Sequence, residues 1–149
     1  PYSITRLMSE WGLENHIDYI IGLNGANILD INHQELINTC LLEGQYIQEI
    51  LEDFKEFDKN IGIFDGPSFH VLEDRKQASN IAMGDRLELV IDDLTIYHQK
   101  SIGKIMFMAK PEIIDQMDEK YQNKIHSQHY RAARSTPDLL EFMNPTYLS

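Results

Sequence analysis

Few side chains in this 149-residue sequence are spaced for self-contained catalysis. The single cysteine, Cys40, falls in an expected strand between Thr39 and Leu42. A thiol buried there packs as a small hydrophobe and stays inert. Six histidines stand at positions 16, 33, 70, 98, 126 and 129. Only His126 and His129 are close, and on a helix that spacing lets two rings touch one zinc. No cysteine joins them and the segment passes from helix towards strand, so solvated imidazoles are the better reading and no metal ligand is assigned. Glu43, Glu49, Glu52, Asp53, Glu56 and Asp58 surround one Lys55 and read as the wet face of a helix. Asp92 and Asp93 are adjacent, so on a helix they point about 100° apart and are poorly placed to share a site. No glycine-rich phosphate loop is present.

The cations are more informative. Lys100, Lys104 and Lys110 occupy a stretch without an acid between residues 99 and 111, and Lys124, Arg131 and Arg134 another between 124 and 137. If the strands bearing Lys104 and Arg131 are neighbours, their charges share one edge or face. Such a patch suits a phosphorylated small molecule, with arginine offering a two-pronged contact. Ordinary charge scatter with local ion pairs explains the same stretches equally well. Asn24-Gly25 follows the carboxyl end of an expected strand, where open α/β sheets hold ligands, although a plain turn accounts for the dipeptide taken alone.

These groups have to be positioned by elements that the apolar spacing outlines. Ile4, Leu7, Met8 and Trp11 make one helical stripe, and Gly12 ends it. Ile17–Leu23 reads as a largely buried strand of the kind found inside parallel sheets. Short strands follow at 28–31 and 35–42, then an amphipathic helix from Tyr46 to Phe57. A hairpin pairs 61–64 with 69–72 around a four-residue loop, Asp65-Gly66-Pro67-Ser68. Residues 73–84 look polar and irregular. Leu87, Val90, Ile91, Leu94 and Tyr97 fit a helix, while Leu87, Leu89 and Ile91 also alternate as a strand does. A strand over 104–108 leads to a helix opened by Pro111, and a last hairpin joins 129–134 to 139–143. From residue 35 the order is β-α-β-β-α-β-α-β-β. That order predicts an α+β fold, a mostly antiparallel sheet with helices on one face, preceded by one helix and strand of another layer.

Composition excludes several classes. The chain has 13 Lys+Arg against 24 Asp+Glu, a net charge of −11. So acidic a surface argues against a general grip on nucleic acid or on an anionic membrane. One cysteine permits no internal disulfide, and a reducing, cytoplasmic setting is expected. Pro1 in place of an initiator Met suggests a piece of a longer chain.

Pro1-Tyr2-Ser3-Ile4 opening a helix, followed by Asp18-Tyr19-Ile20-Ile21-Gly22-Leu23-Asn24-Gly25-Ala26-Asn27-Ile28, resembles the haloacid-dehalogenase superfamily, and within it the Cof-type phosphatases. Lys104-Ile105-Met106-Phe107, leading to Pro111-Glu112, is similar to a further strand and helix start of that family. The run from Tyr130 to Pro145, with Arg134-Ser135-Thr136-Pro137-Asp138-Leu139-Leu140-Glu141-Phe142-Met143-Asn144-Pro145, resembles its "RSxPxxLEIxP" stretch. The resemblance implies a piece of Rossmann-like core over 1–32, an α/β cap over 33–143 and a return linker over 144–149. It implies a parent that hydrolyses small phosphorylated metabolites such as sugar phosphates, using an Asp-x-Asp pair, a lysine and a Mg²⁺ site. None of these matches within this chain, which is therefore expected to be inactive alone and to bind no metal itself. Asn24 and Gly25 match a motif at the active-site mouth, and Arg134 and Ser135 match a cap motif. The expected substrate-binding residues are Asn24, Gly25, Lys104, Arg131 and Arg134, with self-association through residues 1–30. A stand-alone binding module and a sugar-phosphate phosphotransferase are the alternatives.

Overall fold

The amphipathic stretch beginning at Tyr46 folds with its apolar face inward and its carboxylates outward. In the computed structural model, which describes residues 8–12, 19–22, 27–30, 35–39 and 41–146, helix α1 spans Gly44–Asp53. Ile47, Ile50 and, just past its end, Phe54 are buried, and Glu49 and Glu52 face solvent. Residues 8–11 are helical and Gly12 follows at φ +67°. Asn24, Gly25 and Cys40 lie outside the described residues.

The strands form two sheets. In the first, β1 (Tyr19–Gly22), β2 (Asn27–Asp30) and β3 (Glu35–Thr39) run antiparallel in that order. The neighbour of β1 is thus antiparallel, not parallel. The expected division after residue 32 falls between two paired strands, since β3 pairs with β2. The second sheet contains β4 (Asn60–Asp65), β5 (Ser68–Val71), β6 (Glu88–Ile91), β7 (Lys104–Met108), β8 (Arg131–Thr136) and β9 (Leu139–Met143). Its order is β6-β5-β4-β7-β9-β8, and only β5 and β6 are parallel. The β4–β5 hairpin is tighter than expected: Asp65 pairs with Ser68, leaving Gly66-Pro67 as the loop. Gly66 has φ +59°, as the first central residue of a type II′ turn requires.

The parallel pair explains the one helix that periodicity missed. Parallel neighbours need a crossover, and residues 73–84, expected to be irregular, supply it as α2 (Lys76–Gly84). Its buried residues are only Ala78 and Ala82, too small to show as an apolar stripe. The segment after it resolves against a helix over 87–97. It is β6 and then a short 3-10 helix, Thr95–Gln99. Leu94 separates the two at φ +63°, and its N–H donates to Asp92 Oδ1 at 2.6 Å. Helix α3 spans Pro111–Lys124 with proline at its first turn, as the sequence indicates.

Strand alternation divides the core between the two faces of the six-stranded sheet. Ile63, Ile105, Phe107, Leu140 and Phe142 pack with Ile47, Ile50 and Phe54 of the α1 region and with Ile114 and Met117 of α3. Phe64, Phe69, Val71, Met106 and Met108 pack with Ala78 and Ala82 of α2. Helices α1 and α3 therefore cover one face, and α2 covers the β5–β4 end of the other. Leu42, where the chain enters this unit, and Ile102, just ahead of β7, exchange backbone bonds of 2.8 and 2.9 Å. Asn144 Nδ2 also donates to Leu41 O at 3.1 Å.

Gly62 lies under Phe69, where an added Cβ would fall 2.3 Å from ring atom Cζ. Phe69 is fully buried and has little room to yield. Gly62→Ala is expected to destabilise the chain by about 1–3 kcal/mol. Urea titration checks this, and an unchanged midpoint would show that the ring can move.

Candidate functional site

The register of the second sheet places chosen side chains in one transverse row. Leu89, Phe69, Phe64, Lys104, Met143 and Arg131 are successive partners across all its strands. Directly paired residues project from the same face. Lys104 and Arg131 therefore share the face opposite α1 and α3. Their strands are not neighbours, because β9 lies between them. Two strand spacings separate the two residues, about 10 Å.

Lys104 is tied on its own face. Its Nζ donates to Glu141 Oε1 at 2.6 Å and stands 4.7 Å from the Phe64 ring centroid. Glu141 is 6% exposed, held in the adjoining row between Met106 and Ala133. The acid missing from the local sequence around Lys104 thus arrives from β9. Glu141 was not among the expected site residues. Its signal was an acid set inside the apolar run Leu139-Leu140-Glu141-Phe142-Met143.

Arg134 separates from the other two. The register of β8 shifts between Ala133 and Thr136, and Arg134 reaches α3 instead. Its guanidinium donates to Asp115 Oδ1 at 2.5 Å and to Pro137 O at 2.8 Å. Lys100 lies 3.5 Å from Asp65 Oδ2, and Lys120 donates to Glu56 Oε1 at 2.7 Å. The basic stretches are thus partly dispersed into ion pairs, while Lys104, paired with Glu141, and Arg131 lie on one face with β9 between their strands.

Other polar groups occupy the remaining edges. His70 Nδ1 is 2.7 Å from Asp92 Oδ2, so Asp92 is more than a surface carboxylate. Asp93 caps Thr95, and the Thr95 backbone N–H holds its carboxyl below the usual range. Tyr97 OH donates to Asp65 Oδ2 at 3.2 Å. Burial first and Asp65 second push that phenol above the ordinary tyrosine range. Tyr130 is raised in the same way, by burial and then Asp53. Both phenols stay protonated at neutral pH and are not bases. His129 stacks on Tyr46 with centroids 4.4 Å apart. It also lines an open groove of about 550 Å³ with Glu49, Asp53, Lys120, His126 and Tyr130. Among the described residues no group of three or more His, Cys, Asp or Glu side chains is placed to hold a metal ion.

A family model of haloacid dehalogenase-like hydrolases matches residues 1–147. The chain belongs to that family. Solved structures share its fold. A haloacid dehalogenase-like hydrolase from Bacteroides thetaiotaomicron superposes with a TM-score of 0.85 at 14% identity, over 98% of this chain and 55% of its own. A haloacid dehalogenase-like hydrolase from B. subtilis gives 0.73 at 12%, over 98% and 59%. A subclass IIB sugar phosphatase, BT4131, gives 0.67 at 12%, over 94% and 52%. The chain thus spans little more than half the length of these structures. No curated protein sequence matches it.

Removing one partner of a buried ion pair strands the other charge. Lys104→Met alone and Glu141→Leu alone are each expected to destabilise this haloacid dehalogenase-like chain by about 3 kcal/mol, and the double replacement to recover most of that loss. Urea unfolding of all variants measures the coupling. Additive losses would show that the pair is not coupled.

Proposed function

We propose that this chain is the substrate-specificity cap, with a piece of adjoining core, of a Cof-type phosphatase acting on small phosphorylated metabolites such as sugar phosphates. The observation that carries the reading is the placement of Lys104 and Arg131 on one face of a sheet whose opposite face is filled by α1 and α3. Helix α2 covers the β5–β4 end of the cationic face, and this reading gives the β7–β9–β8 end to the ligand. Arg131 offers a guanidinium fork to a phosphate, and Lys104, steered by Glu141, offers a point charge beside it. Asn24 and Gly25 complete the substrate-binding set in this reading. Arg134, bound to Asp115, braces the β8–β9 hairpin against α3 more directly than it meets substrate.

The nucleophilic aspartate and the remaining acid–base groups belong to a parent chain. There Mg²⁺ would neutralise phosphoryl charge, with ligands outside the residues present here. The cap's own work is to close, exclude water and select the leaving group. The 149 residues alone are taken to be inactive. We place the parent in the cytoplasm, where a lone cysteine stays reduced. No helix among the described residues is long and apolar enough to cross a membrane.

Phosphate release by a parent chain, assayed against a panel of sugar phosphates and nucleotides, tests this reading. Arg131→Ala should lower kcat/KM about tenfold or more for the preferred substrate, the magnitude of one charged hydrogen bond. Unchanged kcat/KM for every phosphorylated substrate would end it. Self-association belongs to the same proposal. Among the described residues β1 pairs only with β2, and such an open edge recruits other strands. Sedimentation of the 149-residue chain should show a concentration-dependent dimer, and a strict monomer at high concentration would remove that part.

A further inference from the structure

The turn that ends α2 carries a side chain where glycine is usual. Arg86 N–H donates to Met83 O at 3.2 Å and Leu87 N–H to Ala82 O at 2.8 Å, a complete Schellman closure. Arg86 is its left-handed residue, at φ +54°. Glycine takes that conformation freely, and an L side chain is disfavoured in it. Nothing in the helix cap itself calls for arginine.

The side chain leaves its own sheet. Arg86 Nε lies 3.2 Å from Glu10 Oε1, and Nη2 lies 2.9 Å from Oε2. Glu10 sits in the helical segment 8–11, ahead of the three-stranded sheet. The hydrogen bond from Arg86 is the main reason its carboxyl is held below the usual range. A two-pronged contact fixes direction as well as distance. The side chains of Arg86 and Glu10 are 35% and 53% exposed. A pair so exposed is weak and screened by salt, as suits a contact that breaks and re-forms.

We propose that the Glu10–Arg86 fork is a reversible latch holding the six-stranded unit against the segment that precedes the three-stranded sheet, with Arg86 a positioning residue for closure. The proposal rests on the reading of the six-stranded unit as a cap. The strained arginine has a use that a glycine cap lacks, since it links two units while still closing α2. An exposed pair of this kind shifts an open–closed ratio about fivefold.

Trp11, the single tryptophan, adjoins Glu10 and serves as a donor for energy transfer. The acceptor is a naphthalene sulfonate on Asn80→Cys of α2, in a Cys40→Ser background of the full chain. At low salt, Glu10→Gln should lower the transfer, shifting the open–closed ratio about fivefold towards open. Arg86→Gly should do the same without lowering the thermal midpoint, because glycine suits the turn. The exchange Glu10→Arg with Arg86→Glu should restore the transfer. Unchanged transfer in both single variants, each with native circular dichroism, would overturn the latch and leave the cap reading standing. A parent without phosphatase activity would remove the cap reading and leave this measurement intact.

Discussion

Burial of the two central strands on both faces is the constraint from which the rest of the larger unit follows. β4 and β7 send alternate residues to opposite cores, Ile63, Ile105 and Phe107 to one and Phe64, Met106 and Met108 to the other. One slip of register would exchange those sets. Once the register is set, the transverse rows are set too, and the cations take their places as a consequence. Lys104 falls beside Glu141 because Phe64, Met106 and Met143 occupy the flanking positions. Arg131 falls on the same face because β9 lies between β7 and β8.

The charge distribution then has a simple logic. A chain of net charge −11 does not leave its cations scattered. Lys100, Lys120 and Arg134 are drawn to Asp65, Glu56 and Asp115. Lys104 differs because its partner is buried. An ion pair of that kind contributes little stability relative to apolar residues of the same shape. Its presence fixes where a positive charge sits on that face of the sheet.

Much of this was legible in the residues. The long-period stripes at Tyr46–Phe57 and Pro111–Tyr121 marked α1, which stops earlier at Asp53, and α3, and Lys104–Met108 was readable as a strand to its ends. The family motifs were legible across the chain because they lie in order. The α2 helix was hidden because its packing face is built from alanines whose role appears only against Phe69 and Val71. The segment 87–97 was ambiguous because strand alternation and helical spacing coincide at Leu87 and Ile91, and only the β5–β6 crossover decides between them. Of the site, Lys104 and Arg131 could be named but not placed. Their common face depends on β9, and Glu141 is separated from Lys104 by 37 positions.

The meeting of Leu41 with Asn144 has a consequence for how such a unit can be exchanged. Its two ends lie side by side, so closing it as a loop within another layer adds little entropy penalty whatever its length. A unit attached in that way can be enlarged, trimmed or replaced without disturbing the strands that carry it.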